Sequence, residues 1–137
     1  MEHIFHTPNV LRNVFDSLNL GGWVVHHTPA NGYIDHGFYQ YSPTFFYEYY
    51  HANNFADIEI AFGHVAEGMT LVKGYVPGIL DTLRAGWLDS AGFGTQCFAR
   101  KTDTSSCDRI PQQNTFAIQW TKTPLISRTG DHIRPPL

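Results

Sequence analysis

Three features of this 137-residue sequence predict an α/β fold. An apolar helical period over residues 10–18 runs into a Gly21-Gly22 turn and a short apolar run, Trp23-Val24-Val25. A second helix-then-strand pattern follows, aromatic over 43–50 and alternating over 55–62. A last alternating run, 94–101, closes the ordered part of the pattern. Helical and strand periods that take turns along a chain are the layout of helices packed on a sheet.

Val10, Leu11, Val14, Phe15 and Leu18 place one apolar face on the first helix. Thr7 or Asn9 supplies its cap, Pro8 suits its first turn, and Gly21 stops it. Trp23 to His27 is then a strand buried on both faces and parallel in type, because the apolar run is continuous rather than alternating. Pro29 has no N–H to donate, which predicts the end of its ladder. Residues 30–42 therefore leave the carboxyl end of that strand, where ligands bind in open α/β sheets.

Ser42 caps the second helix with Pro43 at its first position, and Asn53-Asn54 end it. Strands are expected over 57–62 and 95–101, with a short helix over 76–88 inside a Gly-rich passage. The composition turns polar from Thr102 to Asn114. Residues 1–110 read as one unit and 111–137 as a C-terminal extension, partly disordered.

Composition narrows the function classes. Hydrophobic residues make up 42% of the chain, enough for a core, while charged residues are 15% against about 25% in ordinary soluble domains. So thinly charged a surface suits an oligomer or part of a larger fold. A net charge of -3 and the lack of any Lys/Arg cluster argue against nucleic acid. No apolar run approaches a membrane span, and the N-terminus lacks a signal-peptide layout. With two cysteines and no disulfide framework, a reduced, cytoplasmic protein is expected.

The loop 30–42 holds the candidate site. His36 can exchange a proton near neutral pH and is the candidate catalytic base, with Asp35 beside it. Asn31, Tyr33, Tyr39 and His27 are candidate substrate contacts, the tyrosines offering broad faces with a polar handle. A zinc set drawn from His26 or His27, His36 and His51 lacks any His-x-x-x-His spacing, so no metal is assigned.

Several segments carry a resemblance. Glu2-His3 before a helix, then LNLGGWVVHHTP, then DHGFYQYSPTFFYEYY, and the later FARKT and IPQQNTFAIQW follow one order. This order resembles the second half of class I S-adenosylmethionine-dependent methyltransferases, over roughly residues 2–120. The resemblance implies a partial Rossmann-like methyltransferase sheet with flanking helices and an antiparallel edge pair. It further implies methyl transfer from S-adenosylmethionine to a small-molecule nucleophile, with Glu2 and His3 on the cofactor side. No G-x-G-x-x-G occurs in the sequence, so the cofactor-binding half is expected to be missing and the chain alone inactive. Two other readings stand beside it. One is a non-enzymatic association module of the same fold, forming homo-oligomers through an exposed sheet edge; the other is a small His-metal hydrolase.

Overall fold

The computed structural model of the chain describes residues 1–64, 70–75, 92–113, 125–126 and 132–133. The expected helix over 76–88 lies outside them. Helix α1 spans Thr7–Ser17 and α2 spans Pro43–Ala52. The strands are β1 (Trp23–Asn31), β2 (Ala56–His64), β3 (Thr70–Gly74), β4 (Phe93–Arg100), β5 (Leu125–Ile126) and β6 (His132–Ile133). The first four form one sheet in the order β1-β4-β2-β3, and β5 pairs with β6 apart from it. The β5–β6 pair lies within the expected, partly disordered extension 111–137, of which residues 111–113 are also described; the rest of it lies outside the described residues.

Every pairing in the main sheet is antiparallel. This corrects the parallel-type assignment of the first strand. β1 lies at the sheet edge, paired only with β4 among the described residues. Its side chains alternate: Val24, His26 and Thr28 are buried, while Trp23 and Val25 are about half exposed. A strand covered on one face needs apolar groups at every second position only, so the run Trp23-Val24-Val25 overstated its burial. β1 and β2 are each antiparallel to β4 and therefore run the same way, with α2 between them in the chain. The antiparallel partnership of the last two expected strands is present as β2–β4.

Pro29 does not end the ladder; it pairs opposite Gly94, and β1 continues to Asn31 past a bulge. Its carbonyl accepts from Tyr41 N at 2.7 Å, on the side away from β4. The N and C=O of one strand residue face the same side, so the missing N–H of Pro29 also faces outward and β4 loses nothing.

The core forms between the sheet and α2. Phe46 (0% exposed), Tyr49 and Tyr50 from α2 meet Val24, Ile60, Cys97 and Ala99 from the strands. Cys97 is fully buried, and burial pushes its thiol up to about 12, so it packs as a small apolar group. α1 adds Leu11 and, at its margin, Val14, Phe15 and Leu18.

The capping differs from expectation. His6 caps α1, its Nδ1 accepting from Asn9 N at 3.3 Å, and the helix ends at Ser17 before Gly21 is reached. Lys101 closes the other end: its Nζ donates to the carbonyls of Phe15 and Leu18 at 2.8 Å each and sits 3.9 Å over the Phe15 ring. A cation on the last carbonyls of a helix satisfies orphan acceptors and suits the dipole. No helix among the described residues is long and apolar enough to cross a membrane.

Candidate functional site

The loop after β1 is built by backbone conformations that few residues tolerate. Gly32 (φ 78), Asp35 (φ 65) and Gly37 (φ 94) all lie in the left-handed region. Glycine enters it freely and aspartate better than most other residues. Asp35 thus shapes the turn, and the group facing His36 is not its chain neighbour but Glu2.

The chain start is what the loop closes upon. Phe38 N and Tyr39 N both donate to the Glu2 carbonyl, at 2.8 and 3.3 Å, and the Tyr39 hydroxyl donates to the Phe5 carbonyl at 2.9 Å. Phe5 meets the rings of Phe38 and Tyr39 at 5.6 and 6.0 Å. A Cβ on Gly37 would come within 2.8 Å of the Glu2 carbonyl oxygen, so only glycine permits this approach. The far end of the loop is bolted by Tyr41, which shares a hydrogen bond with Thr7 Oγ1 (2.6 Å) and receives one from Thr95 Oγ1 on its carbonyl (2.9 Å).

Three side chains converge as a result. Glu2 Oε1 lies 3.4 Å from His3 Nε2 and 3.9 Å from His36 Nε2, and the two imidazole rings sit edge to face at 4.9 Å. The Glu2 side chain is 14% exposed, while those of His3 and His36 are 60% and 52% exposed. Burial works to raise the Glu2 pKa, but its own backbone hydrogen bond, the Met1 ammonium at 3.1 Å and His3 outweigh it and hold the carboxyl below its usual value. The Tyr33 ring lies 5.7 Å from that of His36.

Beside this cluster opens a cleft of about 180 Å³, lined by His27, Thr28, Pro29, Tyr33, His36 and Gly94. Thr28 is only 3% exposed, and its Oγ1 has no partner among the described residues. A larger cavity, about 400 Å³, lies between α1, α2 and the 107–111 segment. Its lining mixes Leu11, Phe45 and Tyr49 with the exposed Arg12, Asp108 and Arg109, and it holds none of the sequence candidates.

Of those candidates, the structure brings Glu2, His3, Tyr33, His36 and His27 to one place. Asn31 ends β1, exposed, and does not line the cleft. Tyr39, also expected as a substrate contact, bonds and packs against Phe5 and does not line the cleft. The considered zinc set is not assembled: His27 and His36 share the cleft, but His26 is buried against Phe46 and His51 rests on Tyr47. Thr28 and Gly92 were missed. A Cβ on Gly92 would fall 2.7 Å from the Tyr33 ring, so glycine there lets the phenol lie against the start of β4. The "VVHHTP" run holds Thr28 at a buried register position, a signal that strand alternation alone would have given.

The walls of the cleft do not fit the nucleotide end of S-adenosylmethionine. Such a cofactor needs a Gly-rich turn opening a helix so that backbone can approach it. α1 opens after His6 and α2 after Ser42, while Gly21-Gly22 opens a strand. Compared with family models, curated proteins and solved structures, the chain matches none.

Proposed function

We propose that this chain is the acceptor side of a methyl-transfer unit, taking a small-molecule nucleophile in the cleft beside His36. The observation that carries this reading is the convergence of Glu2, His3, His36 and Tyr33 on the loop that leaves β1. Glu2 and His3 stand about thirty or more positions from Tyr33 and His36, and the resemblance gives the first pair to the cofactor side and the second to the acceptor loop. The antiparallel pairing of β2 with β4 also agrees with the antiparallel partnership that the resemblance implies for the last two strands.

Methyl transfer is an in-line displacement at carbon, so alignment of the acceptor supplies most of what a protein can add. The wall of His27, Thr28, Tyr33 and His36 offers one apolar face and several polar contacts for that purpose. The cofactor's own contacts would come from elsewhere, because the described residues do not fit it.

The test is direct. Calorimetry on the 137-residue chain should detect no binding of S-adenosylmethionine; micromolar binding would overturn the assignment to the acceptor side. Upstream coding sequence read in frame should encode a Gly-rich strand–turn–helix. In that extended protein, His36→Ala should lower turnover by about a hundredfold with cofactor affinity nearly unchanged. An upstream frame without such an element would remove the methyl-transfer reading.

A second reading rests on β1. Apart from the Pro29 bond to Tyr41, its outer edge has no strand partner among the described residues, and Trp23 and Val25 beside it are exposed, which favours an association module.

A further inference from the structure

We propose that Glu2, His3 and His36 bind a divalent transition-metal ion such as Zn²⁺. Two imidazoles and a carboxylate are the donors that borderline ions prefer, whereas Mg²⁺ and Ca²⁺ select oxygen. The spacing fits. Ligand atoms each about 2.1 Å from an ion at tetrahedral angles lie about 3.4 Å apart. Glu2 Oε1 stands 3.4 Å from one Nε2 and 3.9 Å from the other, and all three donor atoms lie within 4.8 Å of one another. The same distances are longer than N–H···O hydrogen bonds ordinarily run, so the three groups meet as ion-pair neighbours and not as hydrogen-bonded partners.

The orientation fits as well. Both histidines present Nε2 to the carboxylate, and the opposite nitrogen of His3 lies against Gly37, where a Cβ would be 3.1 Å from it. The rings meet at 63°, an arrangement that two ligands of one ion can share and a stacked pair cannot. The scaffold is set in advance: the Glu2 backbone is held by Phe38 and Tyr39, and Glu2 Oε2 takes the Met1 ammonium, leaving Oε1 toward the imidazoles. Half-exposed histidine side chains have room to close donor separations of up to 4.8 Å toward the roughly 3.4 Å that coordination asks.

Three protein ligands leave a position for water or substrate, the pattern of sites that do chemistry rather than brace a fold. His36 also lines the cleft, alongside the unpartnered Thr28 hydroxyl. An ion there would lower the pKa of a bound hydroxyl and supply a nucleophile at neutral pH. His36 would then act as a ligand, not as the free base suggested by the sequence. Ion binding stands on the geometry alone; only its use in activating an acceptor rests on the methyl-transfer reading.

Titration of the metal-free 137-residue chain with Zn²⁺ by calorimetry, and with Co²⁺ by visible absorption, tests the site. A single equivalent should bind, and His3→Ala, His36→Ala and the near-isosteric Glu2→Gln should each weaken it by about tenfold or more. His51→Ala should bind as the parent does. Far-UV circular dichroism and melting show that each variant is folded. Absence of binding, binding indifferent to all three substitutions, or binding lost on Cys97→Ser or Cys107→Ser would overturn the proposal. Neither readout involves S-adenosylmethionine, so failure of the ion site leaves the methyl-transfer reading standing, and the reverse holds too.

Discussion

His26 Nε2 on β1 and the Tyr50 hydroxyl on α2 share a buried hydrogen bond of 2.5 Å, joining the edge strand to the helix that covers it. The imidazole is 7% exposed, stacked on Phe46 at 4.8 Å and opposite Cys97 in the β4 register. Burial, with a smaller contribution from the Met1 ammonium, lowers the His26 pKa from 6.5 to about 4. Burial likewise raises that of Tyr50, so both partners are neutral at ordinary pH.

The folded state therefore takes up the His26 proton less readily than the unfolded chain. Between pH 6.5 and about 4 the unfolded chain holds more protons, so stability falls as pH falls through that window and is fully present above it. A shift of this size corresponds to roughly 3 kcal/mol. Melting temperature should drop steeply below pH 6.5 in the parent chain. In His26→Gln the slope should be shallower, at the cost of lower stability at pH 7. Parallel curves for the two proteins would remove His26 from the pH response.

Asn53 is fully buried and ends α2, and it ties down the segment that follows β4. Its Nδ2 donates to the carbonyls of Tyr49 and Arg109, at 2.9 and 3.0 Å. Its Oδ1 accepts from Ser106 Oγ and Arg109 N, at 2.9 and 3.1 Å. Asn53→Ala strands these partners and should cost about 3 kcal/mol. Asn53→Asp keeps the two acceptor contacts but turns the two donor contacts into repulsions, so it should be no better. Chemical denaturation of both variants checks this, and limited proteolysis should cut within 103–111 sooner than in the parent. A loss below about 0.5 kcal/mol would show that the segment holds without Asn53.

What the sequence disclosed was set by local periodicity. Both helices were legible because Leu11, Val14, Phe15 and Phe46, Tyr49, Tyr50 recur at helical spacing, and β4 because Cys97 and Ala99 alternate with polar neighbours. Pairing was not. Whether β1 runs beside a parallel or an antiparallel neighbour depends on contacts some seventy residues away, such as Val24 opposite Ala99. β3 was read as loop because Gly68 and Gly74 flank so short a run. For the site, loop position singled out His36, whereas its alignment with Glu2 depends on Gly37 and a backbone approach that no spacing rule encodes. Lys101 as the closing cation of α1 was illegible for the same reason, standing more than eighty positions from Phe15.

The β1 edge predicts association. Since the Pro29 carbonyl faces outward to Tyr41, strand parity turns the backbone groups of Trp23, Val25 and His27 outward as well. Backbone without a strand partner among the described residues, beside half-exposed Trp23 and Val25, is a template for another strand. Size-exclusion chromatography with light scattering should show mass rising with concentration, and Val25→Lys should suppress it. A concentrated parent chain that stays monomeric would count against the association reading.

Gly37 ties the loop to the chain start, and Gly21 supplies its control. Both are in the left-handed region, at φ 94 and φ 78. A Cβ on Gly21 meets nothing within 4 Å, so Gly21→Ala adds only conformational strain, about 1 kcal/mol. A Cβ on Gly37 would stand 2.8 Å from the Glu2 carbonyl oxygen and 3.1 Å from its carbon, both backbone atoms that cannot swing aside. Gly37→Ala must therefore move the loop off residues 1–5 or break the bonds from Phe38 and Tyr39. Its stability loss should exceed that of Gly21→Ala by about 1–2 kcal/mol. It should also separate His36 from Glu2 and His3 and abolish Zn²⁺ uptake, which Gly21→Ala should leave intact. Equal melting temperatures and equal uptake in the two variants would mean that the close approach at Gly37 does not hold the site together.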